Sequence, residues 1–165
     1  MFYPTEYQMM EISAIVDRNI KSIPRNSSKA YSSLELPYNM DKVNKAKNSY
    51  GYEATGTIIG LVDAGLLFSG KKGVLFTTEG IAFKEETDNR FVRYDAISRT
   101  TFDKENDKLM IYPIDVNINN HPFISLFATI ATSVLCVYSI DGDNLYLSNL
   151  RDTINEIVQY ISMQT

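Results

Sequence analysis

Apolar residues recur at two periods along this chain, and the change of period divides it. After Thr5, with Gln8 three residues on as in a capping box, Met9, Ile12, Val16, Ile20 and Ile23 fall at spacings of three and four. That stripe predicts an amphipathic helix that Pro24 ends. Residues 25–37 (RNSSKAYSSLELP) are Ser-rich and polar and read as a linker. A weaker helix follows Asp41, with Val43, Ala46 and Tyr50 on one side. A third short helix is expected over about 53–62, with Ile58, Ile59, Leu61 and Val62 as its apolar residues and Asp63 at its end.

From Asp63 onward the period becomes strand-like. Leu66, Leu67 and Phe68 lead into SGKKG, and GVLFT (73–77) and GIAFK (80–84) flank a tight turn where Gly80 supplies a positive φ. Val74 and Phe76 should share one face, with Leu75 and Thr77 on the other. After the EETDNR turn come FVRY (91–94), ISRTTF (97–102), a DKEND turn and KLMIYPI (108–114), a meander of short strands. Residues 122–138 are apolar, fit helix and strand alike, and are expected to end in a strand over about 133–140. Asp141-Gly142-Asp143-Asn144 reads as a hairpin turn and Leu145–Leu147 as a returning strand. Ser148 or Asn149 would then cap a last helix with Leu150, Ile154, Ile157, Val158 and Ile161 on one face.

The block from Lys42 through Glu86, followed by Tyr94-Asp95-Ala96-Ile97, carries a set of turn and strand residues. These are Asp63, Gly70 and Gly73, then Leu75, Phe76, Thr77, Gly80, Ile81, Phe83 and Lys84 in the hairpin. The block resembles a group of bacterial proteins in which a helical segment precedes a pleckstrin-homology-like (PH-like, GRAM-like) barrel. The resemblance covers roughly 42–114. It implies an α+β fold: a bent antiparallel sheet or partly open barrel closed by a C-terminal helix and preceded by an N-terminal helical segment. The corresponding division is residues 1–52 as helical segment and linker, and 53–165 as the PH-like domain.

Composition narrows function by exclusion. The chain of 165 residues has 44% hydrophobic and 22% charged residues, enough for one sizeable core. Its single cysteine, Cys136, allows no intrachain disulfide. The opening MFYPTEYQ lacks the basic and apolar regions of a secretory signal, so a cytoplasmic location is expected. The uncharged run 122–138 is shorter than the roughly 20 residues of a membrane-spanning helix and reads as core. The net charge of −4 argues against a nucleic-acid binder, most of all through residues 109–165, which hold one basic residue against five acids, although net charge leaves a local basic patch open.

Candidate chemistry is sparse. His121 is the sole histidine, without metal-ligand partners, and Cys136 sits in an apolar run, so neither reads as catalytic or metal-binding. No cofactor is expected, and Asp141–Asn144 lacks the ligand spacing of a calcium loop. SGKKG leads into a strand rather than a helix, so it is no phosphate loop. In a PH-like barrel, Lys71 and Lys72 with Arg93 are the residues placed to meet an anionic headgroup. The chain carries 11 Tyr and 8 Phe, and Tyr31, Tyr38, Tyr50 and Tyr52 are expected mainly to seat the helical segment. The reading is a non-enzymatic interaction module for a protein partner or its own copies. The alternatives are an anionic-ligand or membrane-surface module, and a small inhibitory (immunity or anti-defence) protein with an acidic C-terminal third.

Overall fold

The computed structural model describes residues 1–23, 28–65, 72–114 and 138–164. Helix α1 (Glu6–Ile20) begins at the capping box: Thr5 Oγ1 accepts from the Gln8 amide at 3.3 Å and Gln8 Oε1 from the Thr5 amide at 2.8 Å. It buries Ile12, Ile15, Val16 and Ile20. Helix α2 (Met40–Ser49) buries Val43 and Ala46, with Tyr50 buried just beyond its end. The helices are therefore placed as the periodicity predicts.

The segment expected to be a linker is structured. Strand β1 (Lys29–Tyr31) and a 3-10 turn (Leu36–Tyr38) lie within it. Its serines hold it in place: the Ser33 amide and hydroxyl donate to the Asp17 carboxylate of α1, and the Ser32 amide and hydroxyl to Glu35. Side-chain hydrogen bonds of this kind favour a defined turn over regular structure, and they make a Ser-rich string look like loop.

The expected third helix is instead strand β2 (Ile58–Asp63), a correction with a clear cause. Ile59 through Asp63 are all buried, because the strand is covered on both faces. A strand buried on both sides loses its alternation and reads as a continuous apolar run. Its β-branched residues fit the pleat, and Gly60 leaves room for α1, since a Cβ there would lie 2.7 Å from Val16.

The meander follows as β3 (Gly73–Thr77), β4 (Gly80–Glu85), β5 (Asp88–Arg93), β6 (Ile97–Asp103) and β7 (Lys108–Pro113), with β8 (Tyr138–Asp141) after it. All pairings are antiparallel, in a five-stranded sheet β1-β2-β3-β4-β5 and a three-stranded sheet β6-β7-β8. Val74 and Phe76 enter the main core with Ile81 and Phe83, while Leu75 faces a second core of Tyr31, Val43, Ala46 and Tyr50 under α2. Gly80 does not have a positive φ. Its lack of a side chain admits β5, since a Cβ would stand 2.4 Å from the Val92 carbonyl oxygen.

Helix α3 (Asn144–Ser162) starts earlier than the sequence suggests. Asp143, not Ser148 or Asn149, is its N-cap and accepts from the Tyr146 amide at 3.0 Å. Residues 145–147 are thus helical, and Tyr146 and Leu147 extend the buried stripe of Leu150, Ile154, Ile157 and Ile161 by a turn. The helix packs on β6, β7, the 3-10 turn Tyr94–Ala96 and α1. Asn149 Nδ2 reaches the Asn19 carbonyl at 2.6 Å and satisfies an end of α1. One core joins α1, both sheets and α3. Among the described residues no helix is long and apolar enough to cross a membrane. Residues 122–137 of the apolar run lie outside the described residues.

Candidate interaction site

Lys72 stands at the start of β3, where Gly73 pairs with Asp63. It lines a cleft of about 280 Å³ with Lys84, Glu86, Asp141 and Tyr146. Arg93 is at the other end of the sheet, opposite Gly80 at the β3–β4 hairpin. The five residues of β3 separate the two ends by about 15 Å. Arg93 and Lys72 are therefore not brought together, and Lys71 lies outside the described residues.

Arg93 is also engaged. Its guanidinium donates to Glu79 at 2.7 Å, to Asp95 at 3.1 Å and to the Phe2 carbonyl. Burial works against the cation, yet the bonds to Asp95 and Glu79 prevail and raise its pKa. Two carboxylates on one guanidinium leave no net positive charge there for an anion.

The other singled-out residues divide plainly. Asp63 is fully buried at the end of β2, and its carboxylate accepts from the Gly65 amide at 3.1 Å, an Asx-type turn. His121 and Cys136 lie outside the described residues. Among the described residues no group of three His, Cys, Asp or Glu could hold a metal ion. Asp141 pairs with Lys108 at 3.8 Å while Asp143 caps α3, so 141–144 is a strand end and a helix start rather than a hairpin. Tyr31 and Tyr50 seat α2 on the sheet, whereas Tyr38 and Tyr52 stand exposed.

A different region gathers unexpected features. At the start of α1 and the end of α3, Met1, Tyr3, Tyr7, Met10 and Met163 are each at least 67% exposed. Tyr7, Met10 and Ala14 follow one another at spacings of three and four on one face of α1. Ala14 borders the groove between the helices with Tyr160 and Met163. Next to it a cleft of about 470 Å³ is lined by Met1, Tyr3, Ile97, Ile114, Val158 and Ile161. The cleft and the groove use different faces of α3, with Val158, Ile161 and Ser162 in the first and Gln159, Tyr160 and Met163 in the second. With the exposed Met1, Tyr3, Tyr7 and Met10 they make the end where α1 starts and α3 finishes the apolar end of the molecule.

Polar contacts tie the two helices together away from that end. Arg18 and Asn19 of α1 both bond Glu156 of α3, the latter at 2.8 Å. At the cleft wall the Tyr94 hydroxyl donates to the Thr77 carbonyl at 3.1 Å, and burial pushes its pKa well up. Sequence reasoning passed over this region. The available signal was bulk on the wrong face: Tyr7 and Met10 lie off the stripe of Ile12, Val16 and Ile20.

Compared with family models, curated proteins and solved structures, the chain matches none.

Proposed function

We propose that the chain is a non-catalytic interaction module of PH-like architecture that docks a protein partner, or a second copy of itself, through the apolar end of the α1–α3 pair. The carrying observation is the exposure of Met1, Tyr3, Tyr7, Met10 and Met163 at the start of α1 and the end of α3, where Met1 and Tyr3 line a cleft and Met163 lines a groove. Apolar surface of that kind, rimmed by polar groups on an otherwise well-packed molecule, marks a contact surface. Tyr and Met suit the task because they give large adaptable area at modest entropic cost. The PH-like reading is supported by the sequential antiparallel strands and the terminal amphipathic helix laid across them. A cytoplasmic setting belongs to the same reading.

The double variant Tyr7→Glu/Met10→Glu tests it. Neither side chain belongs to the buried core, so thermal melting should stay within a few degrees of wild type. Complexes seen by size exclusion with light scattering, with itself or from its source cell, should be lost. Complexes that survive the double charge would remove the proposal.

A second reading has one observation behind it. Lys72 and Lys84 share the smaller cleft with Tyr146, whose buried hydroxyl has no hydrogen-bond partner among the described residues. Saturable binding of inorganic phosphate there, lost in Lys84→Ala, would favour an anionic ligand. The inhibitory-protein reading has less support. Of the C-terminal acids, Asp141, Asp152 and Glu156 are ion-paired and Asp143 caps a helix.

A further inference from the structure

The apolar end contains a seat that binds a peptide backbone, and the chain's own second residue occupies it. The Phe2 amide donates to Asp95 Oδ2, and the Phe2 carbonyl accepts from Arg93. Both backbone groups of one residue are thus held by two side chains that also bond each other at 3.1 Å. The Phe2 ring packs against the main core, and the Tyr3 ring lies 5.5 Å from the Arg93 guanidinium in a cation–π contact. Glu79, bonded to Arg93 at 2.7 Å and to the Thr55 hydroxyl at 2.6 Å, fixes the seat from behind. None of these contacts reads a side-chain functional group, so the seat recognises an extended backbone with an aromatic or large apolar residue followed by an aromatic one.

Two facts make the strap an incomplete occupant. It leaves a cleft of about 470 Å³ beside it, walled by Ile97, Ile114, Val158 and Ile161. Its own flanking side chains remain outside, Met1 at 86% and Tyr3 at 69% exposure. Helix α1 starts only at Glu6, with Thr5 as its cap, so residues 1–3 can leave without unwinding it. Tyr3 precedes Pro4, which disfavours helical backbone and keeps the strap extended in or out of the seat.

We propose that the Arg93–Asp95 seat is the docking site for an extended segment of a protein partner carrying an apolar–aromatic pair. Residues 1–3 are an intramolecular stand-in that this segment displaces. The inference rests on the docking reading above and names the chemistry of what docks. A strap that keeps the seat closed most of the time weakens a competitor in proportion to the open fraction.

The test uses the full chain and, as probe, a fluorescent peptide of residues 1–6 (MFYPTE) capped at both ends. Phe2→Ala/Tyr3→Ala loosens the strap, and it should bind the probe saturably and roughly tenfold or more tighter than wild type. Adding Asp95→Ala should abolish that gain. Equal affinity of the two chains, or no binding by a folded strap variant, overturns the proposal. If the strap variant does not fold, a chain bearing 4-fluorophenylalanine at position 2 decides the matter. Excess probe should move its fluorine resonance to the free-peptide position, and a resonance that stays put overturns it. A concentration-dependent dimer that keeps the seated resonance would make a second copy the occupant and overturn it as well. Failure here with loss of complexes in Tyr7→Glu/Met10→Glu leaves the docking surface standing; survival of those complexes removes both.

Discussion

Asn155 of α3 accepts two hydrogen bonds from one residue of β6: the Thr100 amide at 3.1 Å and the Thr100 hydroxyl at 2.7 Å. Strand β6 is an edge of its sheet, so this amide would otherwise face outward unpaired. The terminal helix therefore both covers the sheet and caps an amide of its edge strand.

Asn155→Ala should cost about 1–3 kcal/mol, since it strands the Thr100 amide and leaves the Thr100 hydroxyl only its longer 3.4 Å bond to the Arg151 carbonyl. Thr100→Val/Asn155→Leu removes the hydroxyl as well and should recover part of that loss. Urea denaturation of the three chains checks the order.

Gly73→Ala is expected to be among the most damaging small substitutions. A Cβ would stand 1.9 Å from the Val62 carbonyl oxygen, and φ is +150°. The strand must shift against β2, at a cost of roughly 2–4 kcal/mol. A fall in the urea midpoint with an unchanged slope would show it.

The helices α1, α2 and most of α3 were readable because each has one buried face, so the period of Ile12, Val16 and Ile20 or Leu150, Ile154 and Ile157 survives in the sequence. The hairpin of β3 and β4 is readable from the Thr78-Glu79-Gly80 turn between two short apolar runs, although β3 is buried on both faces and Gly80 serves close approach rather than a positive φ. Strand β2 was not, because burial on both faces erases the period at Ile59 to Val62. The start of α3 was missed because Asp143 after Gly142 fits a hairpin and an N-cap equally well, and only the packing of Tyr146 and Leu147 decides. Asp95 and Arg93 meet Phe2 across more than ninety positions, a pairing that no local pattern encodes.

Alkaline pH should unfold the protein through its buried phenols. Burial raises the pKa of Tyr50, Tyr94 and Tyr146 above the ordinary 10.0. In the unfolded chain these groups ionise from about pH 10, whereas the folded chain keeps them protonated. Their stabilising contribution is full below pH 10 and is lost as pH rises from there toward the folded-state values. Absorbance at the phenolate band should show part of the tyrosine signal appearing only together with loss of the circular dichroism of the fold. Smooth ionisation of all tyrosines in a folded protein would contradict this.

Ile157→Ala tests the core beneath the apolar end. The side chain is fully buried between α3 and the sheets, so truncation should cost about 2–5 kcal/mol. Tyr38→Ser, at an 88% exposed position, should change stability by no more than about 0.5 kcal/mol. Thermal melts of both chains give the comparison.

Site-specific photo-crosslinking in the source cell addresses the docking surface most directly. A photoreactive phenylalanine analogue at Tyr7, Met10 or Met163 should give the same discrete adduct, while one at Lys104 in the β6–β7 turn should give none. Adducts of equal yield at all four positions, or none at the first three, would contradict a partner seated on the ends of α1 and α3.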